Sequence, residues 1–229
     1  MTVKTLTAKN IEKNIEKIIE NEPWSAITHL IGAALSVAGL VLLVVFAAIH
    51  GTVWHVVGFT LFGASLIALY TVSTIYHFLP ISTRAKHIMR RIDHAMIYVL
   101  IAGTYTPICI VTLRGPWGWS LFGVIWALTA AGVSIKASGV HMAQWLSTSI
   151  YAAMGWLMVV AFVPLIKSVP LAGLAWLLGG GLFYTFGAII FSYDEIKLPW
   201  NHFGMHEIWH LFVLAASICH FSFMFWYVL

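Results

Sequence analysis

Seven long apolar stretches, 25–49, 53–77, 90–112, 117–137, 145–167, 170–192 and 205–228, follow one another along the chain with only short connections between them. A helix rising 1.5 Å per residue needs about 20 residues to cross some 30 Å of hydrocarbon, and each stretch is long enough. Backbone inside lipid has no water to bond, so a crossing segment must be a helix or part of a closed barrel. The alternation of a membrane barrel is absent. The pattern therefore predicts an all-α integral membrane protein, a seven-transmembrane-helix bundle. Composition agrees: of 229 residues, 61% are hydrophobic and 9% charged, which excludes a soluble domain.

The connections carry helix breakers, Gly51, Pro80, Gly115-Pro116, Gly139, Pro170 and Pro199. Neither an internal repeat nor a low-complexity tract interrupts the run, so residues 24–229 read as one seven-helix domain. Residues 1–23 form the one extended hydrophilic segment. There Ile11, Ile15, Ile18 and Ile19 recur at helical spacing among Lys and Glu, as in a short amphipathic helix on the membrane surface or a solvated cap on the bundle. Pro23 stops that helix and Trp24 suits the interface. The polar opening does not read as a cleavable signal peptide.

Basic residues give an orientation. Lys4, Lys9, Lys13 and Lys17, then Arg84, Lys86, Arg90 and Arg91, then Lys136 and Lys197 share one side, leaving Arg114 and Lys167 on the other. The positive-inside rule makes the first side, and the N-terminus, cytoplasmic; seven crossings place the C-terminus outside. The formal charge of +4 thus orients the chain and forms no face for nucleic acid. Cys109 and Cys219 lie within apolar runs and read as small core residues.

Against this background the polar residues stand out, since ionisable groups within a bilayer are costly and mark working sites. His77 ends the second helix, Asp93 falls in the first turn of the third, and His206 and His210 open the seventh. With helices alternating in direction, all four reach similar depth near one face. His206 and His210 are four apart, so their imidazoles share a helix face; Ser73 stands in the same relation to His77. Three imidazoles suit zinc, and a fourth position left to water is the mark of a catalytic site. Of eight acidic residues, only Asp93 and Glu207 fall where they can reach the metal. Asp93 is read as base or orienting group beside the metal, with an ion pair to Arg90 as the plainer alternative. Ser73 is read as an oxyanion donor, or as a hydroxyl bonded back to its own helix.

Residues 206–210 match the HExxH pattern of metalloproteases. A protease site needs a further ligand, and residues 211–229 offer no acid and only His220, so Glu207 is read as facing the inner boundary, paired with Lys197. His50, His55, His87, His141 and His202 fall in or near connections and read as solvated. His29 and His94 suit hydrogen bonds between helices or a supporting place behind the metal ligands. His220, about 15 Å beyond His210, is too deep to be a ligand and suits the lining of an interior cavity with Ser217. Gly179-Gly180-Gly181 permits close helix approach.

Ser73-Thr-Ile-Tyr-His77, the block from Asp93 to Pro107, and His206-Glu-Ile-Trp-His210 resemble the hemolysin III family of bacterial membrane proteins. That family is similar to the adiponectin and progestin receptors and, more widely, to alkaline ceramidases. The resemblance covers the chain from about residue 24. It implies seven helices, an internal N-terminus, and a zinc ion held by His77, His206 and His210 with Asp93 and Ser73 in support. It also implies a bacterial plasma-membrane location, with red-cell lysis and membrane homeostasis as associated activities.

Three functions follow as expectations. The first is a zinc-dependent hydrolase of lipid amide or ester bonds, its partners membrane lipids. The second is a non-enzymatic homeostasis regulator or lytic, pore-forming protein whose zinc clamps helices. The third, an ion or proton carrier, needs polar groups through the whole bilayer, and the outer half offers little beyond Ser217 and His220. Nothing in the sequence specifies an oligomer or a substrate.

Overall fold

The structure is a computed structural model that describes residues 22–79, 82–140, 142–192 and 204–229. Seven helices among them are long and apolar enough to cross a membrane: α1 Pro23–His50, α2 Val53–Phe78, α3 Thr83–Thr112, α4 Pro116–Ser138, α5 Gln144–Ser168, α6 Leu171–Phe191 and α7 Met205–Val228. They coincide with the seven apolar stretches. The amphipathic segment expected over residues 1–23 lies almost wholly outside the described residues, as do Pro80, His141, Asp194, Glu195, Lys197, Pro199 and His202. Pro23 is the first residue of α1, where its missing N–H costs nothing.

One boundary differs from expectation in a way that matters. α3 begins at Thr83, with Ser82 as its N-cap accepting from the Ala85 N–H, so Asp93 sits three turns in rather than in the first turn. Hydropathy marks where hydrocarbon begins, not where a helix does. The basic residues Arg84, Lys86, Arg90 and Arg91 are helical, and their long stems let charge reach the interface from there. Lys86 folds back: its Nζ donates to the Tyr76 carbonyl at 2.8 Å, satisfying an orphan acceptor in the last turn of α2.

α1 packs on α2, α2 on α3 and α3 on α4, while α7 packs on both α6 and α1. α3 is the most buried helix, and α5 and α6 are the least. The core is aromatic, with Tyr70, Tyr98, Phe59, Phe62 and Phe223 fully enclosed. α4 ends at Gly139, whose φ of 76° is left-handed and suits glycine.

α5 is not continuous. Residues Leu157–Ala161 form a 3-10 turn ahead of Pro164, which offers no N–H and crowds the carbonyl four residues back. The Tyr105 hydroxyl of α3 tends this break, accepting from the Met158 N–H at 2.8 Å and donating to the Gly155 carbonyl at 2.7 Å. Elsewhere α5 touches α3 and α6 sparingly. The space between them is a cavity of about 810 Å³ that extends to α7.

Candidate metal centre

His77 closes α2 and His206 and His210 open α7, as their spacing predicts. Their ligand nitrogens lie within 4.8 Å of one another, a grouping that could hold a metal ion. Nε2 of His77 and Nε2 of His206 are 3.4 Å apart. His77 and His210 are 1% and 2% exposed, so two of the three rings are withdrawn from lipid and water alike.

Each of these buried rings is fixed by its other nitrogen. Nδ1 of His77 donates to the Glu22 carboxylate at 2.6 Å, and the Glu22 N–H donates to the His77 carbonyl at 3.2 Å. Nδ1 of His210 meets the Ser25 carbonyl at 3.2 Å and the Thr28 hydroxyl at 3.1 Å. The Thr28 hydroxyl also donates to the Ser25 carbonyl, which accepts from both. With Nδ1 carrying the proton in each ring, Nε2 presents its lone pair toward the centre of the group. Metal-binding histidines are characteristically held this way, with carboxylate or carbonyl on the far nitrogen.

These supports come from the start of α1, which sequence reasoning passed over. Glu22, Ser25, Thr28 and His29 recur at i, i+3, i+6 and i+7, a polar stripe on the first two turns of an otherwise apolar helix. That stripe was the available signal. The expectation that only Asp93 and Glu207 among the acids reach the site is corrected by Glu22, which the start of α1 brings to His77. Its side chain remains about half exposed. Partial burial pushes its carboxyl up, but the His77 hydrogen bond and nearby positive charge outweigh this and leave it below the ordinary value of 4.5.

Glu207 departs from expectation. It does not face the boundary: it is 8% exposed and accepts from the Ser25 hydroxyl at 2.5 Å and from the Gly204 N–H at 2.7 Å. One carboxylate therefore caps α7 and ties its first turn to α1. Its two oxygens are engaged with Ser25 and Gly204, which makes Glu207 a brace between α1 and the first turn of α7. Lys197, its expected partner, is outside the described residues.

Asp93 and Ser73 are both brought to the site. Ser73 is buried and faces the Asp93 carboxyl as a hydrogen-bonding partner, with the His77 and His206 imidazoles within electrostatic reach. Ser73, Asp93, His206 and His210 all line one end of the cavity, and Arg90 also lines it. His29 forms no helix-to-helix hydrogen bond. Its ring stacks on His210, centroids 3.5 Å apart and planes 11° off parallel, and both its nitrogens are buried without a partner. His55 is not simply solvated, since its Nδ1 accepts from the Thr52 N–H at the start of α2. His87 and His94 line the cavity, as His220 was expected to do. Ser217 is engaged instead by Tyr70 and Tyr184. Cys109 and Cys219 are buried and free.

Residues 17–221 match the family described as haemolysin-III related. "Hemolysin-3" of Bacillus cereus is 43% identical over 213 residues, 93% of this chain and 94% of the relative. A "Hemolysin-3 homolog" of Bacillus subtilis (strain 168) is 43% identical over 199 residues, 87% of this chain and 90% of its own. The human "Monocyte to macrophage differentiation factor" is more distant, at 29% over 178 residues, 73% of this chain and 69% of its own. On the family match and these identities, the chain belongs to the haemolysin-III-related family of multi-pass membrane proteins.

Proposed function

We propose that the histidine triad is a zinc site and that the protein hydrolyses an amide or ester bond of a membrane lipid. The observation that carries this reading is the joining of the triad to a long apolar cavity. A clamp between helices needs imidazoles but no such cavity. Two nitrogens at 2.0–2.1 Å from one tetrahedral ion lie about 3.3 Å apart, and the His77 and His206 nitrogens are at 3.4 Å. The donor set is all imidazole, oriented from behind by Glu22, Ser25 and Thr28, which suits zinc.

Zinc, when bound, supplies Lewis-acid polarisation of a carbonyl and a water acidic enough to ionise near neutral pH. The protein's own groups do the rest. Asp93 accepts the proton of the attacking water and returns it to the leaving group. Ser73, engaged with that carboxyl, holds it in position. The apolar wall, with Leu100, Ile101, Leu177 and Leu178, receives an acyl chain that enters from the bilayer between α5 and α6. The basic residues at the same end make this the cytoplasmic half of a bacterial plasma membrane.

The test is Asp93→Asn in purified protein, with metal measured beside release of fatty acid from lipid amides. Loss of turnover with zinc retained supports the reading. Turnover unchanged removes Asp93 from the chemistry, and zinc lost with activity makes it structural. A helix clamp predicts zinc with no turnover in the unaltered protein.

A further inference from the structure

Ten residues past His210 on α7, His220 is 6% exposed and lines the same cavity. That places it about 15 Å from the triad along the helix axis, deep in the hydrocarbon. Its Nδ1 is buried and has no hydrogen-bond partner. Its other edge lies against α6, where a Cβ on Gly180 would come within 2.7 Å of Nε2, so glycine there is what lets the ring sit beside the cavity.

The neighbours do not relieve the ring. Tyr184 stacks on it, centroids 5.7 Å apart and planes 20° off parallel. The Tyr184 hydroxyl is spent on Ser217 at 3.2 Å, and Ser217 on Tyr70 at 2.8 Å. These hydroxyls satisfy one another and leave the imidazole out. A buried polar atom without a partner is costly in lipid, where no water can replace it. A space-filling residue such as leucine would carry no such cost. Among the described residues no protein group supplies the missing partner, and the cavity beside the ring is where a ligand can.

We propose that His220 is a second, mid-membrane polar subsite, which hydrogen-bonds a hydroxyl carried on the acyl chain of the lipid held in the cavity. The proposal rests on the acyl-lipid reading above and names the substrate class more closely. Carbon–carbon bonds of about 1.5 Å in a tetrahedral zigzag advance about 1.25 Å each. The 15 Å between the two polar stations thus spans about a dozen carbons. A mid-chain hydroxy fatty acyl group fits; one hydroxylated next to its carbonyl does not reach. No bond is made or broken at His220, which is a specificity residue.

The experiment is competition binding of octadecanoic, 3-hydroxyoctadecanoic and 12-hydroxyoctadecanoic acids to the full-length protein, followed by native mass spectrometry. The 12-hydroxy acid should bind about tenfold more tightly than the unsubstituted one, the worth of one hydrogen bond to an otherwise unsatisfied buried group. The 3-hydroxy acid should gain nothing. His220→Leu should erase the preference and leave octadecanoic acid binding unchanged, while His220→Gln should retain part of it. Should His220→Leu fail to fold, Gly180→Ala displaces the ring without removing it, and should also erase the preference. Equal binding of the two acids by the unaltered protein, or a preference that survives these changes, overturns the subsite and leaves the acyl cavity standing. Binding of none of the three acids overturns both.

Discussion

The Glu22 carboxylate accepts the Nδ1 proton of His77 at 2.6 Å, linking the first residue before α1 to the last turn of α2. It fixes which nitrogen His77 presents to the centre of the triad. Glu22→Gln should therefore lower zinc affinity by about tenfold, the modest end of what such supporting groups contribute, because the carboxylate is half exposed. Competition with a chromogenic chelator measures this. Because the Glu22 pKa is depressed in the folded protein, its stabilising contribution is complete above about pH 4.5 and is lost as acid carries the group through its lower folded value. Acid unfolding of metal-free protein should show this loss, and Glu22→Gln should abolish it.

Glu207 braces α1 against α7, so its effects should be on stability rather than chemistry. Glu207→Ala strands the Ser25 hydroxyl and the Gly204 N–H and should cost about 1–3 kcal/mol. Glu207→Gln, which keeps an acceptor, should cost less and leave zinc bound. Thermal melts with metal analysis test both. A loss of turnover beyond 1,000-fold in a stable, zinc-loaded Glu207→Gln protein would contradict the brace.

Gly181 lines the cavity, and a Cβ there meets nothing within 4 Å. Gly181→Phe should fold as well as the parent, gaining helix propensity of a few tenths of a kcal/mol. It should exclude the acyl chain all the same. Co-purified lipid, read by mass spectrometry, should fall sharply with little change in melting temperature.

Tyr105 has a different task. Its hydroxyl satisfies groups freed where α5 breaks. Tyr105→Phe should cost about 1–3 kcal/mol through those unsatisfied backbone groups. Denaturation in detergent should show the loss, with zinc content unchanged.

The spans and the triad were legible because lipid imposes strong rules: long apolar runs must be helices, and three imidazoles within them are conspicuous. Asp93 was found but set too near its helix start, because charged residues such as Arg84 and Lys86 carry the helix past the hydrocarbon, where low hydropathy hides it. Glu22, Ser25 and Thr28 were overlooked because their partners, His77, Glu207 and His210, are 55 to 182 residues away and meet them only through the packing of α1 on α2 and of α7 on α1. Glu207 misled for a related reason. Its motif describes a helix face, and the fold turned that face toward Ser25.

Zinc stoichiometry in the purified protein and its histidine variants tests the account most directly. One zinc per chain is expected in the parent, falling below a tenth in each of His77→Ala, His206→Ala and His210→Ala, with His220→Ala unchanged. A parent protein free of zinc after metal-supplemented purification, or full zinc in any one of the three triad variants, would contradict it.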